Sequence, residues 1–157
     1  MATLKVKIQE DIILDNQDYG SKRVLEVSSI NEIVKRVVNI GTDEIGLLGF
    51  GTAYNTELSK TYLAGQFDED NVRYIRITNL DDTNHITLTF RDEDNTEFRI
   101  KVDAGHSFIY PGDNSGGLVD TMKAAGSALG SGLADLVDIT VDTDTASCDV
   151  EVFVASA

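Results

Sequence analysis

The clearest pattern in the chain lies at Val72–Tyr110, where three runs of alternating apolar and polar residues are separated by two short acidic breaks. In the second run Ile86, Leu88 and Phe90 share a face opposite Thr87 and Thr89. In the third, Phe98, Ile100 and Val102 lie opposite Glu97, Arg99 and Lys101. A period of two with one apolar side predicts half-buried β-strands. The breaks, Asp81-Asp82-Thr83-Asn84 and Asp92-Glu93-Asp94-Asn95, predict hairpin connections, because Asp and Asn satisfy turn backbone locally and tolerate left-handed conformations. Together these features predict a β-meander.

The same alternation extends the β reading to both sides. Leu4, Val6 and Ile8 alternate with Lys5 and Lys7, predicting a first strand over Thr3–Gln9. A short apolar Ile12-Ile13-Leu14 leads into a polar connector, Asp15–Ser21, and Arg23–Ser28 predicts a second strand. Ile30–Ile40 carries two signals. Ile30, Ile33, Val34, Val37 and Val38 fit a helical face, and Ser29 with Glu32 imitates a capping box. Its apolar residues are mostly β-branched, however, and strand is the assignment. Glu44–Phe50, with two glycines in a short apolar run, predicts a strand with a bulge or a close backbone approach.

Periodicity is lost from Gly51 to Asn71, which predicts a long surface loop of the kind often used to contact partners. In Pro111–Leu133, Leu118, Met122, Ala125, Leu129 and Leu133 fall at helical spacing among glycines. This segment predicts either a short helix or an extended arm that orders against a neighbour. Asp138–Val141 and Ser147–Ala155 close the chain as two strands, with Cys148, Val150, Val152 and Val154 inward and Asp149, Glu151 and Phe153 outward. About nine strands, one long loop and one Gly-rich arm predict an all-β fold, an antiparallel, jelly-roll-like β-sandwich formed as a single domain over residues 1–157.

Composition narrows the function. The net charge of −14 argues against nucleic-acid and anionic-membrane partners, both of which need cationic surface. No apolar run approaches the 18 residues of a membrane span, and the N-terminus has no secretory pattern. A single cysteine, Cys148, excludes an internal disulfide framework and fits synthesis in a reducing cytoplasm. The absence of Trp disfavours a sugar-stacking platform.

Candidate chemistry is sparse. Gly112-Asp113-Asn114-Ser115-Gly116-Gly117 resembles the nucleophile segment of chymotrypsin-like proteases, but an Asn intervenes between Asp and Ser, and a glycine-rich turn is the better reading. The clusters Asp68-Glu69-Asp70, Asp81-Asp82 and Asp92-Glu93-Asp94, with Asp142 and Asp144, offer oxygen ligands but match no calcium-loop pattern. His85 and His106 have no third ligand nearby in sequence and read as turn or surface residues. Cys148 reads as a buried, inert thiol. No catalytic, cofactor-binding or metal-binding residue is assigned, and a non-enzymatic protein with no cofactor is expected.

Four segments carry a family likeness: Ser28-Ser29-Ile30-Asn31-Glu32-Ile33-Val34-Lys35-Arg36-Val37-Val38, Val72–Asn84, Val102–Tyr110 and Asp149–Ala155. With these the chain resembles small β-rich virion structural proteins of tailed bacteriophages. The resemblance implies a capsid cement (decoration) protein that sits on the shell as a homotrimer. Its partners would be the major capsid protein and itself, and its place the capsid surface of the virion. A neck, tail or fibre-base component of the virion, and a calcium- or carbohydrate-binding β-sandwich module, stay open beside it.

Overall fold

The structure, a computed structural model, describes residues 1–51, 61–110 and 135–157. The helix or arm predicted at Pro111–Leu133, with the Gly112–Gly117 turn, lies outside the described residues, as does the stretch 52–60 of the predicted loop.

The described residues form thirteen strands. They are β1 (Ala2–Glu10), β2 (Ile13–Leu14), β3 (Gln17–Asp18), β4 (Ser21–Ile30), β5 (Glu32–Ile40), β6 (Ile45–Phe50), β7 (Gly65–Phe67), β8 (Val72–Asn79), β9 (Ile86–Asp92), β10 (Glu97–Val102), β11 (Ser107–Tyr110), β12 (Leu136–Thr143) and β13 (Cys148–Ser156). A five-stranded sheet, β10-β9-β12-β6-β7, faces a four-stranded sheet, β11-β8-β13-β5. All pairs are antiparallel except β6 with β7. The protein is an all-β sandwich, and Ile30–Ile40 resolves as strand.

The alternation sets the core. Ile86, Leu88 and Phe90 of β9 and Ile139 and Val141 of β12 face Ile75 and Ile77 of β8 and Val150, Val152 and Val154 of β13. Phe90 reaches across the layer: its ring stacks on Phe98 at 4.7 Å and meets Phe108 of the other sheet at 4.9 Å. Such aromatic pairs add to the stabilisation from burial.

Two predictions are corrected. Val72–Tyr110 is no meander, because β8 pairs with β13 and β11 in one sheet while β9 and β10 form a hairpin in the other. Asp92–Asn95 is the predicted hairpin turn, with Asn95 at φ 58° and its N–H bonded to the Asp92 carbonyl at 3.1 Å. Asp81–Asn84 instead arches between the sheets. Nor is Gly51–Asn71 loop throughout: Gly65–Phe67 adds to the edge of β6 in parallel, and Ala64 is buried in the core.

At the N-terminus β1 and β4 form a separate two-stranded ribbon. At its base Thr3 opposes both Ser28 and Ser29, a bulge in which Ser29 takes the left-handed conformation, φ 62°. Bulges bend strands, and here the chain turns from the ribbon into edge strand β5, with Asn31 N–H bonded to the Ser156 carbonyl at 2.9 Å. Val27 and Ile30 pack on Tyr74 and Ala155 on the outer face of the four-stranded sheet. Burial then fades along the ribbon: Val27 is 2% exposed, Ile8 44% and Ile13 75%. Within the predicted polar connector, Asp15 (φ 51°) and Asn16 (φ 64°) form a two-residue turn that closes a small β2–β3 hairpin. The ribbon therefore ends in a tight tip carrying Ile12, Ile13 and Leu14.

Candidate functional site

The acidic clusters are turn builders. Asp81 Oδ1 accepts the backbone N–H groups of Thr83 at 2.8 Å and Asn84 at 2.6 Å, and these bonds hold its carboxyl below the ordinary Asp range. Asp92 Oδ1 accepts from Thr96 N–H at 2.7 Å, and Asp68 Oδ1 from Asp70 N–H at 3.1 Å. Among the described residues no three His, Cys, Asp or Glu side chains converge on one point. Glu69 differs: burial, then the neighbouring Asp135, Asp70, Asp68 and Glu93, pushes its carboxyl up.

The histidines and the cysteine lie apart in role. His85 Nδ1 stands 3.2 Å from Asp144, and His106 Nδ1 is 2.8 Å from the carbonyl of Ala104 in its own turn. Cys148 is buried on the inward row, and desolvation, followed by Asp81 and other carboxylates, pushes its thiol up to about 11. A thiol held protonated at neutral pH is a weak nucleophile.

One buried carboxylate lies outside the acidic clusters of the sequence. Asp138, on the outer face of β12, is fully buried, and desolvation raises its pKa against the opposing pull of Arg91. Its Oδ2 accepts the Tyr62 hydroxyl at 3.2 Å and lies 3.9 Å from Arg91 Nη1. Arg91 Nη2 also reaches Glu97 at 3.2 Å, and Thr140 Oγ1 donates to Glu44 at 2.5 Å nearby. The available sequence signal is an Asp among the apolar residues Leu136, Val137 and Ile139 at the start of β12.

Tyr62 reaches this cluster because β6 offers it a flat bed. A bulge at Leu47, between the pairs Ile139–Leu48 and Thr140–Gly46, turns Gly46 and Gly49 to one face and both leucines inward. The Tyr62 ring lies on both glycines; a Cβ on Gly46 would stand 2.8 Å from Cδ1, and one on Gly49 would overlap the ring. This is the close approach expected of the glycines in Glu44–Phe50. We expect Gly49→Ala to destabilise the fold by about 1–3 kcal/mol, since the added methyl must displace the ring; urea denaturation measures it.

The outer face of the other sheet carries an ion-pair chain. Glu151 meets Arg76 at 2.6 Å and Lys35 at 3.1 Å, and Arg76 extends to Thr78, which meets Ser107 at 2.8 Å. Hydrogen bonds from Arg76 and then Lys35 hold the Glu151 carboxyl low. Because its folded pKa lies below the unfolded one, its stabilisation is present above about pH 4.3 and is lost as pH falls through the folded value. Glu151→Gln should melt roughly 2–4 °C below wild type at pH 7, with the two curves converging in acid.

The chain matches no family model, no curated protein and no solved structure. What the arrangement offers is therefore read from its own surfaces: among the described residues no cluster of three His, Cys, Asp or Glu side chains, and a projecting apolar-tipped ribbon.

Proposed function

We propose that the chain is a bacteriophage virion structural protein, a capsid cement that binds the shell as a homotrimer and stabilises contacts between capsomers. The observation that carries this reading is the ribbon. A packed sandwich that holds out a strand pair with four large exposed side chains, Ile12, Ile13, Leu14 and Tyr19, presents contact surface. The four segments that resemble tailed-phage virion proteins fall on or beside the ribbon corner, β5, β8, β11 and β13, so the likeness follows the framework strands. The strand order further supports a jelly roll: leaving β7 aside, each sheet has four strands, and every connection from β5 to β13 crosses between sheets except the β9–β10 hairpin. Capsid domains use that architecture, as do lectins, so fold alone does not select the function.

The test is binding of the purified chain to assembled shells and to unassembled capsid protein, with particle stability to heat measured alongside. Decoration at many shell positions with raised particle stability is expected. Occupancy of a single ring would move the protein to the neck or tail, and no binding to any virion part would sink the proposal.

A further inference from the structure

We propose that the groove along the free edge of β1 receives the ribbon tip of a second copy of this chain, so that copies join arm into groove. The groove has a volume of about 320 Å³ and is lined by the five consecutive residues Leu4–Ile8, over a floor that includes Tyr74, Arg76, Ile109 and Phe153. Side chains alternate between the faces of a strand, so a cavity touched by five in succession runs along the strand's edge. Among the described residues that edge is unpaired, since β1 pairs there only with β4, and it offers backbone N–H and C=O groups as well as apolar floor.

Charge selects the occupant. The net charge is −14, yet the residues lining the groove include Lys5, Lys7 and Arg76 and no carboxylate. Lys5 and Arg76 are paired to Glu26 and Glu151, both outside the lining, and Lys7 has no ion pair among the described residues. The tip is the complement. From Gln9 to Gly20 it holds Glu10, Asp11, Asp15 and Asp18 and no Lys or Arg, around Ile12, Ile13, Leu14 and Tyr19, which are 53–75% exposed. An acidic, apolar tip fits a basic, apolar groove, while the acidic surface elsewhere repels it.

The tip cannot fill its own groove. Leu4 to Glu10 pairs with β4 in unbroken register, so the strand that edges the groove also holds the tip away from it. Tip and groove are different surfaces, and their union is head-to-tail, closing into a ring when the rotation permits. The inference deepens the proposed function and shares with it only the expectation that copies associate; its test needs no shell.

Sedimentation of the full chain over a range of concentrations should show association that weakens with added salt. Ile13→Ser with Leu14→Ser, and separately Lys7→Glu, should each weaken it roughly tenfold or more, with circular dichroism confirming that the sandwich persists. Mixing Lys7→Glu with Asp11→Lys should restore association that neither shows alone. Copies carrying Leu14→Cys, mixed with copies carrying Ile109→Cys under a mild oxidant, should form a disulfide between chains; Cys148 is buried and does not compete. A chain that stays monomeric throughout overturns the proposal, as does association unmoved by these substitutions. Association that rises on Lys7→Glu would also overturn it, by identifying the lysine as a guard against edge pairing. A monomer that still binds shells would reject this contact and leave the cement reading standing, whereas self-association without shell binding would do the reverse.

Discussion

Phe90→Ala is expected to lower the unfolding free energy by about 4 kcal/mol and the melting temperature by roughly 10 °C. Phe90 is 1% exposed, and its ring contacts Phe98 beside it on β10 and Phe108 on β11 of the opposite sheet. Truncation removes the ring and leaves a void between two hydrogen-bonded layers that cannot close without shearing their ladders, so the cavity term adds to the lost transfer energy. Phe98, on edge strand β10, is only partly buried, and Phe98→Ala should cost less. Urea denaturation of both variants measures the difference. Equal losses, or a Phe90→Ala loss below about 1 kcal/mol, would show that the layers are not keyed on this side chain.

That the chain is a β-sandwich was legible because alternation is local: Ile86, Leu88 and Phe90 declare a buried face whichever strand they pair with. The pairing was not legible. Asp81–Asn84 and Asp92–Asn95 are chemically alike, and Asp81 and Asp92 both accept backbone N–H groups from residues just ahead. Yet one connection arches between sheets and the other closes a hairpin. Local hydrogen bonding fixes that a turn occurs; long-range packing decides where the next strand goes. Strand β7 was missed because three residues, Gly65-Gln66-Phe67, are too few to show a period and are held by pairing with β6. The bed for Tyr62 was half legible. Two glycines three apart would fall on opposite faces of a regular strand, and only the bulge at Leu47 brings them to one. Among the candidate residues, Cys148 behaves as its inward position implied, whereas Asp138 escaped notice because its sequence neighbours give no sign of the arginine and tyrosine that reach it from β9 and from beside β7. The ribbon shows the same limit at larger scale: Ile12-Ile13-Leu14 was visible as an apolar run, but its exposure depends on the corner at Ser29.

Asp138→Ala is expected to cost about 2–4 kcal/mol at neutral pH. The substitution strips the Tyr62 hydroxyl of its acceptor and leaves Arg91, whose Nη1 already lacks a hydrogen bond among the described residues, with Glu97 alone. Asp138→Asn separates charge from shape, and the direction of the pKa shift gives the sign of its pH dependence. Desolvation raises the folded pKa above the unfolded value of about 3.9, so between the two the folded state holds the extra proton. The contribution of Asp138 to stability is thus fullest below about pH 4, falls as pH rises through the folded pKa, and is level above it. Asparagine carries no such dependence. The cost of Asp138→Asn, measured by urea denaturation, should therefore be larger near pH 4 than near pH 7. A cost that instead grows toward neutral pH would mean that attraction to Arg91 outweighs burial, making the buried ion pair, rather than the tyrosine hydrogen bond, the contact that holds this face of the sheet together.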